Sequence, residues 1–396
     1  MILSIFVTLL QIPILLALAY HYFLLLASLP TPNFKPKTAK QNHRFALAIP
    51  AHNEMVVIGQ TIGEMFKLDY PRHLYDVFVV ADHCQDHTAQ VALSAGAICF
   101  ERNTEPSGRK GYALARLLEC ILSADRKYDA VIVFDADSRL NKPFLQAMNE
   151  GLNSHFLVLQ GQHVISNTDE ALFNRLAAID MRLNNRLRNR ARHNLGSSCR
   201  LMGDAMCFSH QVLVDYPWDT FSLSEDIEYG VQLLNAGMRI GYVENAISYG
   251  QAAGGWQQAK SQRLRWESGV LGLRRHKAWR LFTEGFRQRR WSLLDRGTEL
   301  LLPPYTALVA FSVLVLIIQY ILSPTSTFLS IGGMLVVIAG WVLIPFLGLL
   351  LDKAPCSLFS ALIYGPFYVL WRIWITTTAG FRGRGMQWVR TPRSEE

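Results

Sequence analysis

The sequence predicts an α/β domain with a mainly parallel sheet, inserted between transmembrane helices. Three observations support this prediction. Long apolar segments lie at both ends of the chain. Between them, apolar strand patterns alternate with helical patterns, which is typical of a parallel sheet covered on both faces. Several predicted strands end at acidic residues, and such sheets bind their ligands beyond the carboxyl ends of the strands.

Composition agrees with a membrane protein. The chain has 396 residues, of which 50% are hydrophobic and 18% are charged. Its net charge of +8 comes mainly from arginine clusters beside apolar segments, which favours anionic lipid surfaces or phosphate ligands over nucleic acid. The six cysteines have neither C-x-x-C nor zinc-site spacing, so we expect reduced thiols in a cytosolic domain.

The first element, within residues 1–30, is predicted to be a transmembrane helix. Ile2–Leu29 is almost wholly apolar and contains no Lys or Arg, and roughly 20 such residues span a bilayer. A signal peptide, the alternative, would have a basic start and a shorter apolar stretch. Basic residues follow at once, namely Lys35, Lys37, Lys40 and Arg44. The positive-inside rule therefore places the next domain, residues 31–275, in the cytoplasm.

The first half of this domain is predicted to contain four strands, with helices near 58–66, 88–95 and 108–122 between them. The strands are Phe45–Ile49, Val77–Ala81, Ala97–Glu101 and Val131–Asp137. Three of them lead into polar residues: Glu54, Asp82 and the pair Asp135 and Asp137. We expect these side chains to meet at one edge of the sheet.

Two carboxylates one residue apart, Asp135 and Asp137, can hold a divalent cation. Mg²⁺ is usually shared between one or two carboxylates and the phosphates of a substrate. A D-x-D pattern alone is more typical of a strand followed by a turn or a helix N-cap, so the metal-site interpretation depends on the rest of the chain.

The second half predicts a strand at Phe156–Val164 and a helix from Glu170 to His193. A leucine stripe and an arginine stripe run along this helix. It is predicted either to lie on a membrane surface or to present a solvated arginine face. Gly203–Phe208 predicts a turn into a strand, and Ser224 is predicted to cap a helix that runs to about Asn235.

Gln262–Trp266 reads Q-R-L-R-W. Arginine donors suit phosphate oxygens, and a tryptophan face suits a sugar ring; the alternative is a helix anchored in lipid headgroups. Residues 276–297 are predicted to form an interfacial amphipathic helix.

Residues 298–396 are predicted to form a transmembrane hairpin, a third apolar segment and a basic tail. The hairpin consists of Thr298–Leu322 and Phe328–Leu351, with Ser323–Thr327 between them. The third segment, Cys356–Trp371, is shorter. If it spans, the tail lies outside against the positive-inside rule, so we slightly favour a re-entrant or interfacial segment.

Taken together, these motifs resemble those of membrane-embedded family 2 glycosyltransferases, which include cellulose, hyaluronan and poly-N-acetylglucosamine synthases and ceramide glucosyltransferases. The resemblance covers roughly residues 45 to 275 and implies a GT-A (Rossmann-like) fold with inverting transfer from a nucleotide sugar. The closing Trp388–Arg393, W-V-R-T-P-R, also resembles the tail of bacterial exopolysaccharide members.

The resemblance implies a role for each motif residue. Donor binding is expected from Pro50, Ala51, His52, Asn53, Glu54, Asp82, Lys110, Asp135, Ala136, Asp137, Gln262 and Arg265. Among them, Asp137 and Asp135 would hold Mg²⁺ or Mn²⁺. Acceptor binding is expected from Gly203, Asp204, Glu225 and Trp266. Asp226 would be the general base.

The resulting hypothesis is a hexosyl- or N-acetylhexosaminyltransferase that extends a bacterial polysaccharide from a UDP-sugar at the inner membrane. A homo-oligomer or an export partner would complete a polymer path. The alternative is transfer of one sugar to a membrane lipid. A catalytically inactive scaffold is disfavoured because every required carboxylate is present.

Overall fold

The structure, a computed structural model, describes residues 2–32, 34, 41–253, 255–322 and 327–382. The basic residues Lys35, Lys37 and Lys40, most of the predicted hairpin linker and the W-V-R-T-P-R tail lie outside these ranges.

Eight strands and sixteen α-helices are present in the described ranges. The strands are β1 (Phe45–Ala51), β2 (Tyr75–Asp82), β3 (Ile98–Arg102), β4 (Ala130–Val133), β5 (Arg139–Leu140), β6 (Val158–Ile165), β7 (Met206–Ser209) and β8 (Ile240–Gly250). The helices of the sheet domain are α2 (Ile58–Met65), α3 (Thr88–Ser94), α4 (Lys110–Leu122), α5 (Phe144–Asn153), α6 (Leu172–Leu183), α7 (Ala191–Asn194), α8 (His210–Asp215), α9 (Glu225–Asn235) and α10 (Trp256–Leu273). The remaining helices are α1 (Ile2–Ala27), α11 (Trp279–Arg287), α12 (Trp291–Leu301), α13 (Tyr305–Leu322), α14 (Ile331–Leu351), α15 (Cys356–Ala361) and α16 (Gly365–Arg382).

The strands form one mixed sheet in the order β3-β2-β1-β4-β7-β6-β8-β5. Strands β3, β2, β1 and β4 are parallel, as the alternating pattern predicts. The antiparallel strand β7 joins this half to β6 and β8, which are parallel to each other. The α/β class and the mostly parallel sheet are therefore confirmed.

Buried strands explain why the sheet forms. Side chains of β1 alternate between its two faces: Leu47 and Ile49 pack with α2, whereas Ala46 and Ala48 pack with α4. With both faces covered by helices, the strand ends are the part of the sheet left to carry polar groups.

Several predicted boundaries need correction. Strand β4 ends at Val133, so Asp135 and Asp137 lie in the following loop. Residues 276–297 do not form one helix but two, α11 and α12, which pack side by side in antiparallel directions. In this pair Gly285 lies against Leu294, and Gly297 lies against Phe282. Close backbone approach at these two glycines explains the pairing, because a Cβ there would meet the neighbouring backbone.

The arginine stripe of the predicted 170–193 helix also has a different environment from either expected one. This segment forms α6, a π-helical stretch (Asn184–Arg190) and α7. Of the stripe arginines, Arg186 is buried and pairs with Asp352, and Arg190 pairs with Glu244 at 2.7 Å. The stripe therefore faces carboxylates inside the protein rather than lipid headgroups or water.

Four helical segments in the described ranges are long and apolar enough to cross a membrane. They are Ile2–Ala27, Tyr305–Leu322, Ile331–Leu351 and Cys356–Phe381. The second begins later than predicted because Pro303 and Pro304 separate it from α12. The last is longer than the predicted Cys356–Trp371 and bends at a 3₁₀ turn. Helices α1, α13 and α14 share one buried apolar core.

Candidate active site

The ends of β1 and β2 meet as predicted. His52 Nδ1 donates to the carbonyl of Asp82 at 2.6 Å. The Asp82 carboxylate is buried, accepts from the Arg102 guanidinium, and lies 3.1 Å from His83 Nδ1. These contacts hold the first two polar strand ends together in one rigid unit.

Asn53, expected to contact the nucleoside, instead supports the loop. Its φ of 54° lies in the left-handed region, which asparagine tolerates better than most residues. Its side-chain oxygen accepts from the backbone N–H of Gln85 at 2.7 Å, and its own N–H points at Cys84 Sγ at 3.3 Å. Asn53 thus links the loops after β1 and β2.

Lys110, at the start of α4, joins two parts of the site. Its ammonium donates to Asp135 Oδ1 at 2.5 Å and to the Gly203 carbonyl at 2.7 Å. Burial would lower the pKa of Lys110, but the charges of Asp135 and Glu225 raise it, so the group stays charged. One cation therefore fixes both the D-x-D loop and the loop before β7.

Asp204 lines the cavity and also supports the D-x-D loop. One carboxylate oxygen accepts from Ser138 Oγ at 2.7 Å and from the Asp135 N–H at 3.2 Å. The other lies 2.8 Å from His163 Nδ1. Burial would raise the pKa of Asp204, but the hydrogen bond and charge of His163 lower it to about 2. Through its hydrogen bonds to Ser138 and to the Asp135 N–H, the ionised carboxylate holds the D-x-D loop in position.

Glu225 and Asp226 form the first turn of α9. Ser224 precedes them but makes no capping hydrogen bond with its side chain. Burial and the charge of Asp226 raise the pKa of Glu225 to about 7. Burial also raises the pKa of Asp226, although the charges of Arg200 and Lys110 oppose the rise. Two neighbouring, partly buried carboxylates with raised pKa values are typical of acid–base sites.

Gly203 leaves room in front of Asp226. Its φ of +80° favours glycine, and a Cβ at this position would lie 3.5 Å from Asp226 Oδ2. The loop before β7 therefore passes close to the candidate base without a side chain between them.

The Q-R-L-R-W segment lies on α10. Burial lowers the pKa of Arg265, whereas the charges of Glu225 and Asp135 raise it, so its guanidinium faces the site carboxylates. The guanidinium of Arg263 stacks 5.2 Å from the centre of the Trp266 ring and pairs with Asp180 at 2.8 Å. Helix α10 thus presents Arg265 and Trp266 opposite the strand ends.

A single cavity of about 1420 Å³ unites these residues. All the predicted site residues except Asn53 line it: Pro50, Ala51, His52, Glu54, Asp82, Lys110, Asp135, Ala136, Asp137, Gly203, Asp204, Glu225, Asp226, Gln262, Arg265 and Trp266. The same cavity continues between the membrane helices, where its walls are Val309, Val313, Ile317, Ile338 and Val342.

Asp135 and Asp137 suit a divalent cation that shares its ligands with a substrate. Both line the cavity, and their carboxylates are the hard oxygen donors that Mg²⁺ and Mn²⁺ accept. In the described part of the chain, no three His, Cys, Asp or Glu side chains form a complete metal site. This donor set therefore fits a cation completed by phosphate oxygens.

Sequence reasoning missed His163, Arg188, Arg200 and Glu299, all of which line the cavity. None belongs to a short motif. Arg188 lies beside the predicted arginine stripe in sequence, and only its ion pair with Glu299 on α12 reveals its environment.

Comparisons with known proteins identify the family of this chain. The family model "Glycosyltransferase like family 2" matches residues 43–269. The probable glycosyltransferase YdaM of Bacillus subtilis (strain 168) is 25% identical over 237 residues, which are 58% of this chain and 56% of that protein. The β-monoglucosyldiacylglycerol synthase of Synechocystis sp. (strain ATCC 27184 / PCC 6803 / Kazusa) is 26% identical over 206 residues, 50% of this chain and 42% of that protein. The chain thus spans about half the length of these two relatives.

A solved structure has a similar fold. The mannosyltransferase PcManGT from Pyrobaculum calidifontis, in complex with GDP-Man and Mn²⁺, superposes with a TM-score of 0.59 and covers 91% of this chain and 98% of its own. At 16% identity the likeness concerns the fold alone, which is GT-A. With the family model matching more than half of its length, the chain belongs to the family 2 glycosyltransferases.

Proposed function

We propose that the protein transfers one sugar from a nucleotide sugar to a membrane lipid, with inversion at the anomeric carbon. The shape of the cavity carries this proposal. Its polar end contains Asp226 and Asp135, and its other end lies between membrane helices. Aliphatic walls suit acyl or prenyl chains, because burying such chains removes apolar surface from water.

The polar end provides the donor site. Asp135 and Asp137 would hold Mg²⁺ or Mn²⁺, which when bound supplies Lewis-acid neutralisation of charge on the leaving diphosphate. Lys110 and Arg265 add positive charge beside the same carboxylates. A UDP-sugar stays the expected donor, with the strand-end loops at His52 and Asp82 around its nucleoside.

Asp226 would act as the general base. It would take the proton of the acceptor hydroxyl as that oxygen attacks the anomeric carbon opposite the leaving diphosphate. The raised pKa favours this role, because a base is most effective when its pKa approaches the working pH. The space left by Gly203 gives the hydroxyl access to Asp226.

The other hypothesis is that the acceptor is a growing polysaccharide, and it remains the competing prediction. A relative supports the lipid acceptor, since the name of the Synechocystis protein specifies a glucosylated diacylglycerol. At the membrane end the cavity is lined by aliphatic side chains together with Tyr305 and Trp341, and walls that are largely apolar favour a lipid acceptor.

The sheet domain is proposed to lie on the cytoplasmic side of a bacterial inner membrane. The pair α11 and α12 would lie at the interface, because Trp279 and Phe286 are 67% and 76% exposed on α11. Exposed aromatics beside basic residues are typical of interfacial helices.

Two tryptophan substitutions test the lipid path. Val313 lines the cavity, whereas Val336 lies on the adjacent helix α14 and does not. We expect Val313→Trp to reduce glycolipid formation at least tenfold while donor affinity is unchanged, and Val336→Trp to leave both unchanged. Equal turnover in the two variants, measured with radiolabelled donor, would contradict the proposed path.

A further inference from the structure

Four arginines converge on one buried carboxylate at the membrane side of the cavity. Glu299 on α12 lies within 3.4 Å of Arg188, 3.5 Å of Arg192, 3.6 Å of Arg200 and 2.5 Å of Arg296. We name these four residues the arginine cluster. Arg188, Arg192 and Arg200 line the cavity, and Arg296 does not.

Positive charge exceeds negative charge in this cluster. The four guanidiniums form ion pairs with two carboxylates, Glu299 and, through Arg192, Asp295 at 2.7 Å. The charge of Asp226 also acts on Arg200. Burial and the charge of Arg188 lower the pKa of Arg200 to about 10, the behaviour of a cation with too few counter-charges. Buried charges are normally paired, so the cluster is suited to an additional anion.

The location of the cluster separates it from the donor diphosphate. The donor end has Lys110 and Arg265 beside Asp135. The cluster instead contacts α12, which leads into membrane helix α13, and Tyr20 of α1 donates to Asp295 at 2.7 Å. The charge of Arg200 acts on Asp226. An anion bound here would therefore lie between the candidate base and the aliphatic part of the cavity.

We propose that the acceptor is a phospholipid whose headgroup has a free hydroxyl, with its phosphodiester held by Arg188 and Arg200. The proposal rests on the proposed lipid transfer. The hydroxyl oxygen forms the new bond to the anomeric carbon and gives its proton to Asp226. The bond from that carbon to the diphosphate breaks, and its electron pair leaves with the nucleoside diphosphate. Arginine forks suit phosphate geometry, and the hydroxyl lies a few bonds beyond the phosphate.

A panel of acceptors tests the proposal with the full chain in phosphatidylcholine nanodiscs. Phosphatidylglycerol has both groups, diacylglycerol has only the hydroxyl, and phosphatidate has only the phosphate. We expect phosphatidylglycerol to be glycosylated at least tenfold more efficiently than either. Preference for diacylglycerol or phosphatidate would overturn this inference and leave lipid transfer standing. Label confined to a polymer would instead overturn the proposed function.

Variants of the cluster separate phosphate binding from folding. Arg200→Gln should raise the KM for phosphatidylglycerol at least tenfold without changing the affinity for the nucleotide sugar, and Arg200→Lys should recover part of the loss. Arg296→Gln is the matched control, because it also removes a guanidinium from Glu299 but does not face the cavity. The same KM in Arg200→Gln and in Arg296→Gln would contradict phosphate binding by Arg200.

Discussion

Gly269 of α10 lies directly against Ser224, the residue that precedes α9. A Cβ at Gly269 would come within 2.1 Å of Ser224 Oγ, a distance that no pair of unbonded atoms can occupy. This contact places the helix that presents Arg265 and Trp266 against the turn that presents Asp226. The spacing between Asp226 and the side chains of Arg265 and Trp266 therefore depends on the absence of a side chain at Gly269.

Gly269→Ala should force α9 and α10 apart and lower turnover more than stability. Overpacking of this kind costs about 1–3 kcal/mol. Gly272→Ala is the matched control on the same helix, because nothing lies within 4 Å of its added Cβ. The control should be neutral or stabilising by roughly 1 kcal/mol, since alanine is the better helix former. Single-turnover rates and Tm, both determined in detergent, measure the effects on turnover and on stability. Equal rates for Gly269→Ala and Gly272→Ala would refute the role of the contact between Gly269 and Ser224.

Asp226→Asn should abolish transfer and leave donor binding largely intact. General-base assistance is worth roughly 10²–10⁴-fold, so we expect turnover to fall by about that factor. Asp219→Asn serves as a control, because this acid contacts Gln232 on the outer face of α9. Calorimetry with the nucleotide sugar measures the donor affinity. Wild-type turnover in Asp226→Asn would mean that another group takes the proton.

Turnover should fall as the pH drops through about 7, the pKa of Glu225 in the Glu225–Asp226 pair. Burial raises both pKa values, so the two neighbouring carboxylates compete for this proton, and a proton on Asp226 removes the base. Glu225→Gln removes a negative charge beside Asp226, which makes ionisation of Asp226 easier. The acidic limb of the rate profile should therefore move to lower pH. Glu228→Gln, whose carboxylate pairs with Lys277 outside the pair, should not move it, and an unmoved limb in Glu225→Gln would refute the coupling.

Lys110→Gln should weaken nucleotide-sugar binding on the order of tenfold, since hydrogen bonds to charged groups contribute about 1.5–3 kcal/mol. Its ammonium links Asp135 to the Gly203 carbonyl, so its loss releases both loops. Lys127→Gln removes an exposed lysine elsewhere on the domain, so this control variant should bind the nucleotide sugar with unchanged affinity. Titration of each variant with the nucleotide sugar measures this affinity. Unchanged affinity in Lys110→Gln would show that the contact of Lys110 with Asp135 and Gly203 is not needed for donor binding.

Local patterns located the strand ends that meet in the cavity. The loops after β1, β2 and β4 could be located because each buried apolar run ends abruptly at polar residues, and parallel strands bring their ends together. The same reasoning placed the end of β4 too late. Phe134 continues the apolar pattern of the strand, but the strand itself ends at Val133. Strand β8 was missed since Glu244 and Asn245 interrupt its apolar alternation.

The membrane side of the cavity could not be predicted, because its charged residues pair with partners that are distant in sequence. The arginine stripe has the periodicity of a membrane-surface helix, and nothing near Arg192 in sequence reveals Asp295, a residue 103 positions away. Asp204 likewise matched a motif position, but its contacts with Ser138 and His163 give it a supporting role. Long-range ion pairs of this kind leave no periodic signal.

The size of the product tests the central proposal most directly. Purified protein in nanodiscs would receive a radiolabelled nucleotide sugar, and the label would be followed through organic extraction and chromatography. Because the cavity joins Asp226 to aliphatic walls between the membrane helices, we expect the label in one lipid species carrying one sugar. A water-soluble ladder of polymer lengths, with no labelled lipid, would contradict it.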